Sequence, residues 1–158
     1  MLNALLIAVF LLAGQESRET GVVTGSVVPP QTAQVILLGP EYGDLWATEV
    51  QKRLDQYWQQ YQGALRTRRE LFSQFSKQAR RDATYYVVNR MRRDLPGGLS
   101  QYLMETSGDG RFEFKNLPFG EYKILALGKN GNQEVMWQES VDIRSTIPQF
   151  LELKKIVP

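Results

Sequence analysis

Residues Thr106–Tyr122 read TSGDGRFEFKNLPFGEY, and this stretch decides the fold. Asp109-Gly110 is a strong turn signal, because both residues reach positive φ at low cost, and it predicts a hairpin. After it, Arg111-Phe112-Glu113-Phe114-Lys115 alternates polar and apolar without a break. That period of two assigns Phe112 and Phe114 to a buried face and the three charges to water. Leu117-Pro118-Phe119-Gly120 predicts a second reversal, with Pro118 presetting its φ and Gly120 free to take an unusual one. The following run, Glu121–Leu127, reads as a strand with Tyr122, Ile124 and Ala126 on one face and Glu121 and Lys123 on the other.

Thr106, Asp109, Gly110, Phe112, Phe114, Leu117, Pro118, Gly120 and Tyr122 together form the pattern T-x-x-D-G-x-F-x-F-x-x-L-P-x-G-x-Y. This resembles the carboxypeptidase regulatory-like domain, a transthyretin-like (prealbumin-like) and carbohydrate-binding-like sandwich. The resemblance implies a mainly β chain: a seven-stranded antiparallel β-sandwich, usually an accessory module rather than an enzyme. A fold alone licenses no function.

Working outward, Gly21–Leu38 (GVVTGSVVPPQTAQVILL) reads as two strands separated by Pro29-Pro30, since neither proline donates to a ladder. This resembles the opening strands of the same family. On the other side, residues 128–133 read as a loop containing Asn130-Gly131, and residues 134–144 as a strand bearing Val135, Trp137, Val141 and Ile143. A last strand spans residues 149–155, with Leu151 and Leu153 inward. The resemblance therefore covers residues 21–38 and 101–155.

About sixty residues interrupt the pattern after the second strand. Val50, Leu54, Tyr57, Tyr61 and Leu65 recur at helical spacing, as do Phe72, Phe75, Ala79, Ala83 and Tyr86. The spacing predicts a helical insertion over residues 44–96, with Asp44 or Thr48 as cap and Pro96-Gly97-Gly98 as terminator. The stripe slips at Arg66-Thr67-Arg68-Arg69, which leaves two geometries: one helix of about 70 Å, or a helical hairpin bent near residues 63–69. Tyr85-Tyr86-Val87-Val88 also carries strand propensity.

Residues 1–14, MLNALLIAVFLLAG, hold an apolar run too short to span a bilayer, which needs about 20 residues. Its length suits the h-region of a secretory signal. The expectation is an exported protein, periplasmic or extracellular, cleaved near Gly14. Gln15 stands where a lipidated cysteine would be required, so no lipid is attached there.

The 158 residues contain no histidine and no cysteine, with 42% hydrophobic and 23% charged residues and a net charge of +2. Disulfides, thiolate or imidazole metal sites, cysteine nucleophiles and histidine-based triads are excluded within them. Hydroxyisourate hydrolases of transthyretin-like fold depend on histidines, so that branch is rejected. Asp109, Glu105 and Glu113 lack the oxygen density of a calcium loop, and turn chemistry explains Asp109. No catalytic residue, metal or cofactor is assigned.

Two features remain as candidate binding residues. Residues 47–94 carry eleven Lys/Arg against five Asp/Glu, clustered as Arg66, Arg68, Arg69, as Lys77, Arg80, Arg81 and as Arg90, Arg92, Arg93. Such a surface suits an acidic protein, an anionic lipid or lipopolysaccharide, or nucleic acid, the last least fitting for an exported chain. Trp46, Tyr57, Trp58 and Tyr61 group near the start of the insertion, and Trp137 lies on a strand; aromatic rings stack on sugars and anchor interfaces. The expected function is a non-catalytic interaction or structural module of the cell envelope, contacting a protein partner through the insertion. The alternative is a carbohydrate-binding module that takes polysaccharide on exposed aromatics.

Overall fold

A computed structural model describes residues 19–154. The proposed signal segment lies outside them. The chain runs β1 (Thr20–Val27), β2 (Ala33–Leu38), α1 (Pro40–Thr67), α2 (Arg69–Asp94), a 3-10 turn (Leu99–Gln101), β3 (Leu103–Glu105), β4 (Arg111–Pro118), β5 (Gly120–Asn130), β6 (Gln133–Ile143) and β7 (Gln149–Leu153). The strands form a three-stranded sheet, β4-β1-β7, and a four-stranded sheet, β3-β2-β5-β6.

The inner faces of the two sheets meet in one core. Val23 and Val27 of β1, Phe112, Phe114 and Leu117 of β4, and Leu153 of β7 face Val35 and Leu37 of β2, Tyr122, Ile124 and Ala126 of β5, and Trp137, Val141 and Ile143 of β6. Alternation along β4 is as the sequence predicts, with Arg111, Glu113 and Lys115 exposed between buried neighbours. Full burial of each such large apolar side chain contributes about 1.5–3 kcal/mol.

The four-stranded sheet is covered on its other face too. Ile36 and Leu38 of β2, Leu125 of β5 and Met136 of β6 form a second core with Trp46 and Val50 of α1 and Ala83, Val87, Val88 and Met91 of α2. The molecule is thus three layers deep: sheet, sheet, helical hairpin. The unbroken apolar runs at residues 35–38 and 124–127 are the sequence mark of strands buried on both faces.

Several expectations need correction. Asp109-Gly110 does turn the chain, with the Gly110 amide donating to Ser107 O at 2.8 Å. It does not make a hairpin, because β3 pairs with β2 in one sheet and β4 with β1 in the other. The turn is a crossover between layers. The 117–120 reversal also crosses, from β4 to β5, and the Tyr122 hydroxyl braces it by donating to Pro118 O at 2.8 Å. The tight hairpin is β5–β6, closed by Gly131-Asn132 where a longer loop was expected. The sheets are not wholly antiparallel: the chain leaves β6 for the other layer and enters it with β7 parallel to β1.

The insertion is two antiparallel helices, not one long one. Arg68 takes an extended conformation (φ −127°, ψ 95°) that ends α1 and precedes α2. The slip in the hydrophobic stripe marks this break. Tyr61 (φ −123°, ψ 19°) kinks α1 seven residues earlier. The hairpin spans Pro40–Asp94, so it starts before residue 44, and its N-cap is Gly39 with no side-chain cap bond. Pro40 supplies the helical φ at the first turn, which is why neither Asp44 nor Thr48 is needed as a cap. Tyr85–Val88 are helical, because Val87 and Val88 are buried against the sheet at helical spacing from Ala83 and Met91.

Candidate functional site

The hairpin is the part of the molecule that the sandwich core does not consume. Its base is fixed in several ways. Trp46 Nε1 donates to Thr84 Oγ1 at 3.0 Å, and that hydroxyl donates to Arg80 O at 2.8 Å. Lys123 Nζ of β5 lies 5.2 Å from the centre of the Trp46 ring. On β6, Glu134 accepts from Arg81 at 2.8 Å and Gln138 from Arg80 at 3.3 Å. At the two ends of the hairpin, Tyr42 Oη donates to Asp94 Oδ2 at 3.3 Å, and Arg90 Nε donates to the same oxygen at 2.8 Å. The Arg90 guanidinium holds the Asp94 carboxyl below the usual aspartate range. Burial, followed by the Asp94 charge, pushes the Tyr42 hydroxyl up.

Beyond this base the helices support only each other. Leu54 is the last α1 residue packed on the second core, and Ala83 the first of α2 buried in it. Arg80 and Arg81 still reach β6, so residues 55–79 project past the sheet as an arm, with about twelve residues per helix giving a reach of about 20 Å. Within the arm Phe75 stacks between two tyrosines, 4.8 Å from the Tyr57 ring and 5.0 Å from the Tyr61 ring. Leu65 of α1 and Ser76 and Ala79 of α2 are buried. Trp58 (45% exposed), Tyr61 (39%) and Phe72 (51%) turn much of their area to water. Arg66, Arg68 and Arg69 sit exposed at the turn.

The eight candidate residues therefore separate. Tyr57, Trp58, Tyr61, Arg66, Arg68 and Arg69 come together on the arm. Trp46 and Trp137 do not join them. Trp46 is 4% exposed and pins the hairpin to the sheet. Trp137 is fully buried in the sandwich core, where its Nε1 donates to Val28 O at 3.1 Å. Neither indole offers a face to a ligand. Sequence reasoning counted Phe72 and Phe75 in the helical stripe but not among the site residues. The signal was there: a stripe with no sheet beneath it is exposed or paired with its own hairpin partner.

The carboxylates carry little chemistry. Asp109 accepts from the Ser107 hydroxyl and, at 3.2 Å, from the Arg111 amide, and these bonds hold its carboxyl below its ordinary range. It is a turn brace. A surface depression of about 630 Å³ between the 97–101 segment and β4 contains Ser100, Gln101, Glu113 and Lys115. Its one carboxylate, Glu113, is paired with Lys115 at 3.1 Å, so it lacks the second acid or base that hydrolytic chemistry needs. Among the described residues no three His, Cys, Asp or Glu side chains converge to hold a metal ion. No described helix is long and apolar enough to cross a membrane.

No known protein family matches the chain, and no curated protein matches it. Among solved structures, the pilus backbone protein RrgB of Streptococcus pneumoniae superposes with a TM-score of 0.34 and 12% identity. The alignment covers 86% of this chain and 41% of the pilus protein. A likeness that loose carries no argument about function.

Proposed function

We propose that this chain is an exported, non-catalytic interaction module of the cell envelope. In this reading a transthyretin-like sandwich of carboxypeptidase regulatory-like type holds out a helical arm to a protein partner. The observation that carries it is the arm itself: some 20 Å of paired helix beyond its supporting sheet, with half-exposed aromatics along it. Such surface is costly to leave in water unless something covers it. The roles of the motif residues support the family assignment. Thr106 clips β3 to the β1–β2 loop, Asp109 and Gly110 make the first crossover, and Tyr122 braces the second. The carbohydrate-binding alternative loses its two buried indoles and rests on Trp58 and Tyr61 alone.

The test is site-specific photocrosslinking in an envelope extract of the source cells. A photoreactive residue replaces Tyr61 on the arm or, as control, Phe150 on β7. Capture of one discrete protein from the arm position alone, repeated with that protein purified, supports the reading. Equal capture from both positions, or glycan alone from the arm, overturns it.

A further inference from the structure

The turn of the arm differs from its flanks. Toward the base of the hairpin most basic residues are engaged: Arg53 and Lys52 with Glu49, Arg81 with Glu134, Arg90 with Asp94 and Arg80 with Gln138, whereas Arg92 and Arg93 at the end of α2 form no ion pair among the described residues. Among the described residues Arg66, Arg68, Arg69 and Lys77 form no ion pair, and residues 56–77 contain one acid, Glu70, against these four bases. Phe72 stands 51% exposed beside them. It follows Arg69 by three positions in α2, so these two share one side of the helix, and Arg68 lies in the turn just before them. Leu71 is half-buried at the same end.

We infer that this turn is a contact for the anionic surface of a lipid bilayer, with Arg66, Arg68 and Arg69 meeting headgroup phosphates and Phe72 entering the interface. The inference rests on the arm being the contact surface of an exported chain, and it assigns the tip while leaving the aromatic flank to the protein partner. Charge and shape both favour lipid. Unpaired arginines flanking an exposed ring are the composition of interfacial membrane contacts. The end of a two-helix hairpin is convex and only about 20 Å across. It falls short of the roughly 800 Å² per partner that a stable protein interface needs, whereas a fluid bilayer conforms to it.

The experiment is flotation of the full chain with vesicles of phosphatidylcholine alone or with about 30% phosphatidylglycerol. Binding should require the anionic lipid and fall when salt rises from about 0.05 to 0.3 M. The triple variant Arg66→Gln, Arg68→Gln, Arg69→Gln should bind about a hundredfold more weakly, at roughly fivefold per arginine. Phe72→Ser should weaken binding but keep the salt dependence. Arg111→Gln with Arg144→Gln, on the sandwich, should change nothing. All these side chains are exposed, so circular dichroism should report an unaltered fold. Equal binding to neutral vesicles, no binding at low salt, or full binding by the triple variant overturns the inference. So does arginine-dependent binding to soluble polyglutamate without vesicle binding, which would give the tip to an acidic protein. Failure here leaves the Tyr61 crosslinking result standing; failure of that crosslink with vesicle binding intact removes the protein partner instead.

Discussion

Replacing Trp46 tests whether the hairpin is part of the fold or an ornament on it. The side chain is 4% exposed, lies between α2 and β5, and gives its indole proton to Thr84. Trp46→Ala removes a buried aromatic that its neighbours cannot refill, at a cost of about 3–5 kcal/mol. For a domain of this size each kcal/mol lowers Tm by about 2–4 °C, so a fall of about 10 °C is expected. Trp46→Phe keeps most of the apolar contact and loses the hydrogen bond, at a cost of about 1–2 kcal/mol. Trp58→Ala, on the exposed arm, should cost less than about 0.5 kcal/mol. Urea unfolding followed by circular dichroism gives all three values. If Trp46→Ala costs no more than Trp58→Ala, the indole is at the surface, the second core does not exist as described, and Trp46 returns to the list of candidate ligand platforms.

Three further outcomes follow from single residues. Thr106 is 4% exposed; its hydroxyl donates to Gln31 O at 2.9 Å and accepts from the Ala33 amide at 2.8 Å. Thr106→Val preserves shape and strands both backbone groups, so urea unfolding should show a loss of about 2–4 kcal/mol. Gly110 has φ +79°, and an added Cβ would lie 2.9 Å from Val27 Cγ2 and 3.0 Å from Val27 O. Gly110→Ala should therefore destabilise by at least about 1–2 kcal/mol, from the left-handed backbone alone. At Asp94 the folded carboxyl titrates below its unfolded value. The stability from its bonds to Arg90 and Tyr42 is complete above the ordinary aspartate range and is lost as pH falls through the lowered folded value. Carboxyl-resolved NMR should place the Asp94 midpoint below that of an isolated aspartate, and Arg90→Gln should raise it.

The β elements were legible because each rests on local chemistry. The alternation Arg111–Lys115 and the Pro118 and Gly120 reversal identify strands and turns without reference to the rest of the chain. Partnering was not legible at the same level. Asp109-Gly110 looks the same whether the chain folds back within a sheet or steps to another, since both need a tight turn; the choice belongs to β1, which pairs with β4 some 85–98 residues away, from Ser26↔Arg111 to Thr20↔Pro118. The helical stripe was readable by period, and its slip marked the break at Arg68. What period cannot convey is which part of a stripe lies on the sheet. Val50 and Ala83 face Ile36 and Leu125, whereas Tyr57 and Phe75 face each other. For the same reason Trp46 and Trp58, twelve residues apart on one helix, have opposite fates.

That division makes the insertion easy to remove on paper and hard to remove in fact. It enters after β2 and leaves before β3, and those strands are paired with each other, so a short loop could join them. Excision would nevertheless uncover Ile36, Leu38, Leu125 and Met136 together. At about 1.5–3 kcal/mol for each side chain, the loss is about 6–12 kcal/mol. This matches the whole stability of an ordinary domain, about 5–15 kcal/mol. Trimming is different. Joining the helices near Leu54 and Ala83 removes no residue of either core except at its margin, and should leave a cooperative unfolding transition within a few degrees of the full chain. Excision of Pro40–Asp94 should yield aggregated or unfolded protein by circular dichroism and size-exclusion chromatography. A soluble, cooperatively folding excised chain would show that the outer face of the β3-β2-β5-β6 sheet tolerates water. The hairpin would then be an appendage along its whole length, and not a third layer whose far end alone is free to meet a partner.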